Sequence, residues 1–205
     1  DYIAYWGESP HGIYGFKTEP DKAITKEQAE AETGLTIDAI WQPCVIKHAN
    51  RYFMFFYART GPDEGPILRA KSSDGETWKD IEVAVETEPG TWKQKVWHPY
   101  VVMWRDECLL YFLGRNIKTV RLWPSGVADN PLLVAKAGSP DETFESPEAV
   151  SIHSAFGSWR GGRPLDHSVV NIQDEVLLMA CALQSKTIEE HVFDMRIGLF
   201  ASTNG

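Results

Sequence analysis

Gln42, His98 and Asp166 open three copies of one short pattern, Gln42-Pro43-Cys44-Val45-Ile46, His98-Pro99-Tyr100-Val101-Val102 and Asp166-His167-Ser168-Val169-Val170. Trp41, Trp97 and Leu165 precede them, and Arg59 and Arg115 follow the first two at the same distance. Brought to one place, these residues would offer an acid, an imidazole, an amide, two guanidinium groups and two indoles. Such a set suits a neutral, hydroxyl-rich ligand: indoles pack on the apolar face of a sugar while charged and amide groups bond its hydroxyls. An imidazole titrates near neutrality, so His98 could protonate a leaving group. The plainer alternative is that His98 bonds the backbone of a neighbouring repeat, and that the Trp and Arg residues tie repeat to repeat.

The elements that must position these groups are also repeated. Each pattern is followed by a polar pair (Asn50-Arg51, Asp106-Glu107, Asp174-Glu175) and then an apolar run. Ile67 to Gly75 aligns without a gap on Ile197 to Gly205, and Leu132 to Lys136 leads into Ser139 to Phe144 as a third copy. A weaker copy opens the chain, with Ile13 to Lys17 before Pro20-Asp21. The segments Val45-Ile46, Tyr52 to Tyr57, Ile67 to Ala70 and Thr77 to Val83 are short, β-branched or aromatic, and bounded by turn residues, which predicts strands. Asp74-Gly75 and Asn204-Gly205 read as two-residue hairpin turns with φ > 0 at both positions. Phe53 to Phe56 and Leu109 to Leu113 alternate poorly, as strands covered on both faces do. One charged stretch, Lys26 to Glu32, reads as a surface turn of helix.

Four short antiparallel strands per repeat make a propeller blade, so the sequence predicts an all-β propeller of four-stranded antiparallel blades. The expected division is a partial blade over 1–37, blades over 38–90 and 91–155, and a partial blade over 156–205, all within a single propeller domain or fragment. At about 50–65 residues per unit, 205 residues hold fewer blades than a ring needs. The expectation is therefore a piece of a longer chain, or a half-ring that closes with a partner. Exposed strand edges at both ends would invite pairing with another copy, a homo-oligomer.

Composition narrows the partners. A net charge of -9 and a pI near 5.1 argue against nucleic acid and anionic membrane surfaces. No apolar stretch approaches a membrane span of ~20 residues, and no signal peptide is visible. Localisation stays open, secretion or a periplasmic place included. Cys44, Cys108 and Cys181 fall in or beside strands and read as buried thiols. The six histidines show no paired zinc spacing, so neither a metal nor another cofactor is expected.

Turn lengths give the face. Connections after the first and third strands of each unit are tight, while those at Arg59 to Pro66, Arg115 to Pro131, Leu183 to Met195, Thr87 to Trp97 and Ser146 to Leu165 are long. In an up-and-down blade the long loops share one face, where the innermost strands begin with Gln42, His98 and Asp166.

With Trp97 to Val102 followed by Leu109 to Phe112, and with Arg163-Pro164-Leu165 before Asp166 to Val170, the chain resembles the five-bladed propeller glycoside hydrolases, the arabinanase, β-xylosidase and invertase-levansucrase group. A looser likeness reaches the propeller phosphorylases. The Ala70 to Trp78 hairpin is of a type common in that group, and it resembles the Asp-box of six-bladed sialidases with one spacer residue fewer. The resemblance implies carboxylates at the starts of innermost strands, one acting as base or nucleophile and another, after an Arg, tuning its pKa. Asp166 matches such a position, with Arg163 upstream; Gln42 and His98 stand where an acid could be. Glycoside hydrolysis needs a second carboxyl group, ~5–5.5 Å away for retention or ~6.5–9.5 Å for inversion. Asp38, Glu145, Glu148, Glu189 and Glu190 are the candidates, and Glu148, in the connection leading to the strand of Asp166, is preferred. Two functions follow: a glycosidase acting on an oligo- or polysaccharide by paired carboxylates, or a non-catalytic propeller that binds carbohydrate or a protein partner.

Overall fold

The computed structural model describes residues 4–8, 17–62, 64–115, 131–150, 163–172, 175–187 and 192–202. Among these, strands β3 (Ala39–His48), β4 (Arg51–Arg59), β5 (Ile67–Ser72) and β6 (Lys79–Val85) form an antiparallel sheet in chain order. The pattern recurs in β7 (Lys95–Trp104), β8 (Glu107–Arg115), β9 (Leu132–Ala137) and the two-residue β10 (Glu148–Ala149). β11 (Arg163–Ile172), β12 (Glu175–Thr187) and β13 (Val192–Ser202) make a third sheet, and β1 (Ala4–Glu8) pairs with β2 (Lys17–Ile24).

Why the apolar runs alternate poorly is now visible. Along β4, Phe53 and Phe55 pack against Val96, Val101, Leu110, Phe112 and Leu133 of the next sheet, while Met54, Phe56 and Ala58 face the other way onto Ala29, Ile37 and Trp78. Along β8, Cys108, Leu110 and Phe112 take one face and Leu109, Tyr111 and Leu113 the other, toward Val169 and Val176. Sheet stacks on sheet, so both faces need apolar side chains, each worth ~1.5–3 kcal/mol when buried.

Several local expectations change. The connection after β5 is not a two-residue turn: β6 starts only at Lys79, and of Asp74 and Gly75 only Gly75 has positive φ (87°). Asp74 instead accepts the backbone N–H groups of Glu76 (2.9 Å) and Thr77 (2.8 Å) and the Ser72 hydroxyl (2.8 Å). These donors hold its carboxyl at about 2, Thr77 contributing most. The tight turn with both residues at positive φ lies instead at Ala49 (47°) and Asn50 (62°), between paired His48 and Arg51. Asn204-Gly205 lies outside the described residues. Pro20-Asp21 does not turn the chain: β2 runs through it, with a register shift opposite Tyr5 and Gly7 that accommodates the missing Pro N–H. The long loop expected from Leu183 to Met195 is largely paired strand, with Leu183 opposite Met195 and Thr187 opposite Val192.

The charged stretch forms α1 (Lys26–Thr33), capped by Thr25, whose side chain accepts the Gln28 N–H, and by Gly34 at φ 72°. It is more than a surface turn. Gln28 Nε2 donates to Trp78 O at 2.7 Å and Glu32 Oε2 accepts the Ile81 N–H at 2.6 Å, so the helix covers part of the β6 edge. Between the two four-stranded sheets, buried Arg69 gives Nη1 to the carbonyls of Pro140 (2.6 Å) and Glu142 (2.7 Å), and Nε and Nη2 to Glu82 Oε1 (3.1 and 2.6 Å). Lys71 joins Glu82 (3.0 Å) to Asp141 (2.6 Å).

Candidate functional site

Each innermost strand is irregular where its pattern begins. β3 slips register against β4 between Trp41 and Cys44, β7 against β8 between Trp97 and Tyr100, and β11 against β12 between Pro164 and Asp166. One extra residue in each strand makes a bulge, which redirects a side chain. Gln42 and His98 carry the strain of it, with φ of 58° and 55°. For a residue with a Cβ the left-handed region costs of order 1–3 kcal/mol, and such strain clusters at functional sites.

The two bulges meet. Gln42 Oε1 accepts the backbone N–H of His98 at 3.0 Å, and Gln42 Nε2 lies 2.8 Å from His98 Nε2. His98 therefore does bond the neighbouring sheet, through the side-chain amide of Gln42. Two residues further on, Cys44 Sγ accepts the Val101 N–H at 3.4 Å. Burial pushes the Cys44 thiol up against a smaller lowering by that bond, which disfavours the thiolate. Cys44 and Cys108 are free thiols, Cys108 buried as the sequence suggests and Cys44 half-buried; the side chain of Cys181 lies outside the described residues.

Around this contact stands a ladder of rings and cations. Arg59 and Arg115 occupy matching places, opposite Ala39 and Lys95 respectively. The Arg59 guanidinium lies 4.8 Å from the Trp41 ring centre, and Trp41 lies 5.7 Å from Tyr57. Lys95 Nζ stands over both Tyr57 (5.4 Å) and Trp97 (5.0 Å). The loop after β4 sets that lysine: Gly65 O accepts the Val96 N–H at 3.2 Å, and a Cβ on Gly65 would fall 2.2 Å from Ala58 O. These contacts correct the idea of open indole platforms. Both indoles have a cation over the ring; Trp97 is buried and is wall, whereas half-buried Trp41 keeps some exposed surface. Tyr57 and Lys95 were missed in the sequence; the signal was their register, since Tyr57 pairs with Trp41 and Lys95 with Arg115.

The carboxylates divide. Asp166 matches Gln42 and His98 in the repeated pattern, but in the register it pairs with Cys181 just after the extra residue Leu165, at the level where Trp41 and Trp97 pair in β3 and β7; its side chain lies outside the described residues, as does that of Arg163. Glu148 is exposed in β10, the outermost strand of its sheet, three strand spacings or ~14 Å from β7. It is not brought beside Gln42 and His98. Glu145 donates its backbone N–H to Lys136 O on the same outer side, while Glu189 and Glu190 lie outside the described residues. Asp38 stands just before β3, donates its N–H to Arg59 O at 2.7 Å and holds Arg59 Nε at 3.6 Å. Among the described residues no group of three His, Cys, Asp or Glu could hold a metal ion, and no helix is long and apolar enough to cross a membrane.

No protein-family model matches the chain, and no curated protein matches it. Solved structures do. A family 117 glycoside hydrolase from the marine bacterium Zobellia galactanivorans superposes with a TM-score of 0.62 at 21% identity, over 80% of this chain and 52% of that one. The GH93 α-L-arabinofuranosidase of Fusarium graminearum, solved with arabinobiose, gives 0.62 at 12% identity over 98% and 55%. The fold is that of the β-propeller glycoside hydrolases. An N-acetylgalactosamine deacetylase from F. plautii, in complex with blood group B trisaccharide, superposes on the same propeller at 0.59 and 12% identity, over 80% and 50%. The chain spans about half the length of each of these structures. At such identities the propeller scaffold is what is shared; the chemistry has to be argued from the site.

Proposed function

We propose that this propeller acts on carbohydrate, as a glycoside hydrolase-like protein cleaving glycosidic bonds of an oligo- or polysaccharide. The observation that carries the reading is the pair of strained bulges at Gln42 and His98, equivalent to the bulged start of the strand bearing Asp166. β3 and β7 hold Gln42 and His98 at left-handed φ beside Trp41, Arg59 and Lys95, and β11 carries a bulge at the start of its own pattern. In this reading Asp166 is the base or nucleophile, and Arg163 with Arg115 and Arg59 borders the ligand. Asp38 replaces Glu148 as the preferred second carboxylate, because it stands at the inner end of β3 and not on an outer strand. The five-bladed ring is part of the same proposal.

A second reading has its own support. Gln42 and His98 satisfy each other where acids would serve catalysis, which favours a propeller that binds glycan without cleaving it. Release of reducing sugar or aglycone from a panel of aryl-glycosides and oligosaccharides, by the full-length protein and its Asp166→Asn variant, separates the two. Turnover lost in the variant supports the hydrolase with Asp166 in its site. Turnover that ignores the substitution removes Asp166 from the site, and binding without any turnover selects the second reading.

A further inference from the structure

We infer that Gln42 is a positioning residue that fixes His98 as the neutral tautomer protonated on Nδ1. The backbone N–H of His98 can only donate, and Gln42 Oε1 accepts it at 3.0 Å. That contact sets the amide's orientation, since the flipped amide would press its NH2 group against another donor. Gln42 Nε2 is thereby turned to His98 Nε2, 2.8 Å away. An amide nitrogen only donates, so the ring nitrogen facing it must offer a lone pair, and the ring proton sits on Nδ1. Left-handed φ at both residues holds the two side chains in this arrangement across β3 and β7.

The consequence rests on the carbohydrate reading of this face. With Nε2 engaged by the amide, Nδ1–H is the only donor the neutral ring can present, so any hydrogen bond from this ring to a hydroxyl or ring oxygen of a sugar has to come from Nδ1. Proton donation from Nε2 is closed while the amide holds it. The tautomer itself does not depend on that reading, so the two can fail separately.

Long-range 1H–15N correlation of the imidazole rings at about pH 8.5, above the ordinary midpoint of ~6.5, reads the tautomer directly, with His98→Asn assigning the resonance. The expected spectrum has a pyrrole-like Nδ1 and a pyridine-like Nε2. A pyrrole-like Nε2, or averaged shifts for both nitrogens, overturns the inference on the wild-type protein alone. Gln42→Glu supplies the second arm, because a carboxylate accepts from both the backbone N–H and the ring. It should move the proton to Nε2, and an unchanged spectrum in the folded variant overturns the role given to Gln42. Adding an oligosaccharide panel to the wild-type sample tests the site: failure of every glycan to bind sinks the carbohydrate reading and leaves the tautomer standing.

Discussion

Arg69→Met removes a guanidinium that is 5% exposed and links the β3–β6 sheet to the turn after β9. Methionine keeps most of the apolar stem, so the loss is chiefly polar. On one side stands Glu82, 46% exposed and still bonded to Lys71 at 3.0 Å, which rehydrates at little expense, below ~1 kcal/mol. On the other side the carbonyls of Pro140 and Glu142 lose donors at 2.6 and 2.7 Å, the first bond being buried. An acceptor left unsatisfied costs ~1–3 kcal/mol, and release of a desolvated cation offsets part of it. The sum is a loss of about 2–4 kcal/mol. At ~2–4 °C per kcal/mol for a chain of this size, Tm should fall by roughly 5–15 °C. Thermal melts followed by circular dichroism, with Glu82→Gln as a comparison, measure it. An Arg69→Met variant that melts with the wild type, or a Glu82→Gln variant that loses as much as Arg69→Met, would refute this role for Arg69.

Two further outcomes follow from local geometry. Gln42→Gly and Gln42→Ala both lose the bonds to His98, but only alanine keeps a Cβ at φ 58°, so the glycine variant should be the more stable by about 0.5–1 kcal/mol in denaturant titration. Asp74 is held at about 2 against an ordinary 3.8, so its contribution to stability is present above about pH 4 and is lost as pH falls through about 2. Asp74→Ala should lower Tm near neutrality and flatten the decline of Tm across that acid window.

The sheet pattern was legible because the sequence repeats it: the strands around Tyr52 to Tyr57 and Ile67 to Ala70 appear as read, somewhat longer at each end. Arg59 and Arg115 were placed at matching positions by spacing alone, and the register agrees. What stayed hidden was backbone irregularity. A bulge adds one residue to a strand without altering its composition, and neither Gln42 nor His98 announces positive φ as a glycine would. Asp74-Gly75 misled for the converse reason, since an Asp side chain that caps backbone N–H groups favours a wider loop over a two-residue turn. Glu148 lies in the connection leading to the strand of Asp166, but membership of that connection does not say whether a residue lands on an inner or an outer strand. The helical stretch at Lys26 to Glu32 was legible, but the docking of α1 on β6 depends on tertiary contacts at Trp78 and Ile81.

The central claim is that the bulged starts of the innermost strands form a glycan site, and its most direct test is a titration of 15N-labelled protein with the oligosaccharide panel, following indole and imidazole resonances. Trp41 and His98 should shift with a binding sugar while Trp78, buried against α1 on the far side of the sheet, should not. Shifts confined to Trp78, or binding that leaves Trp41 and His98 unmoved, would contradict it.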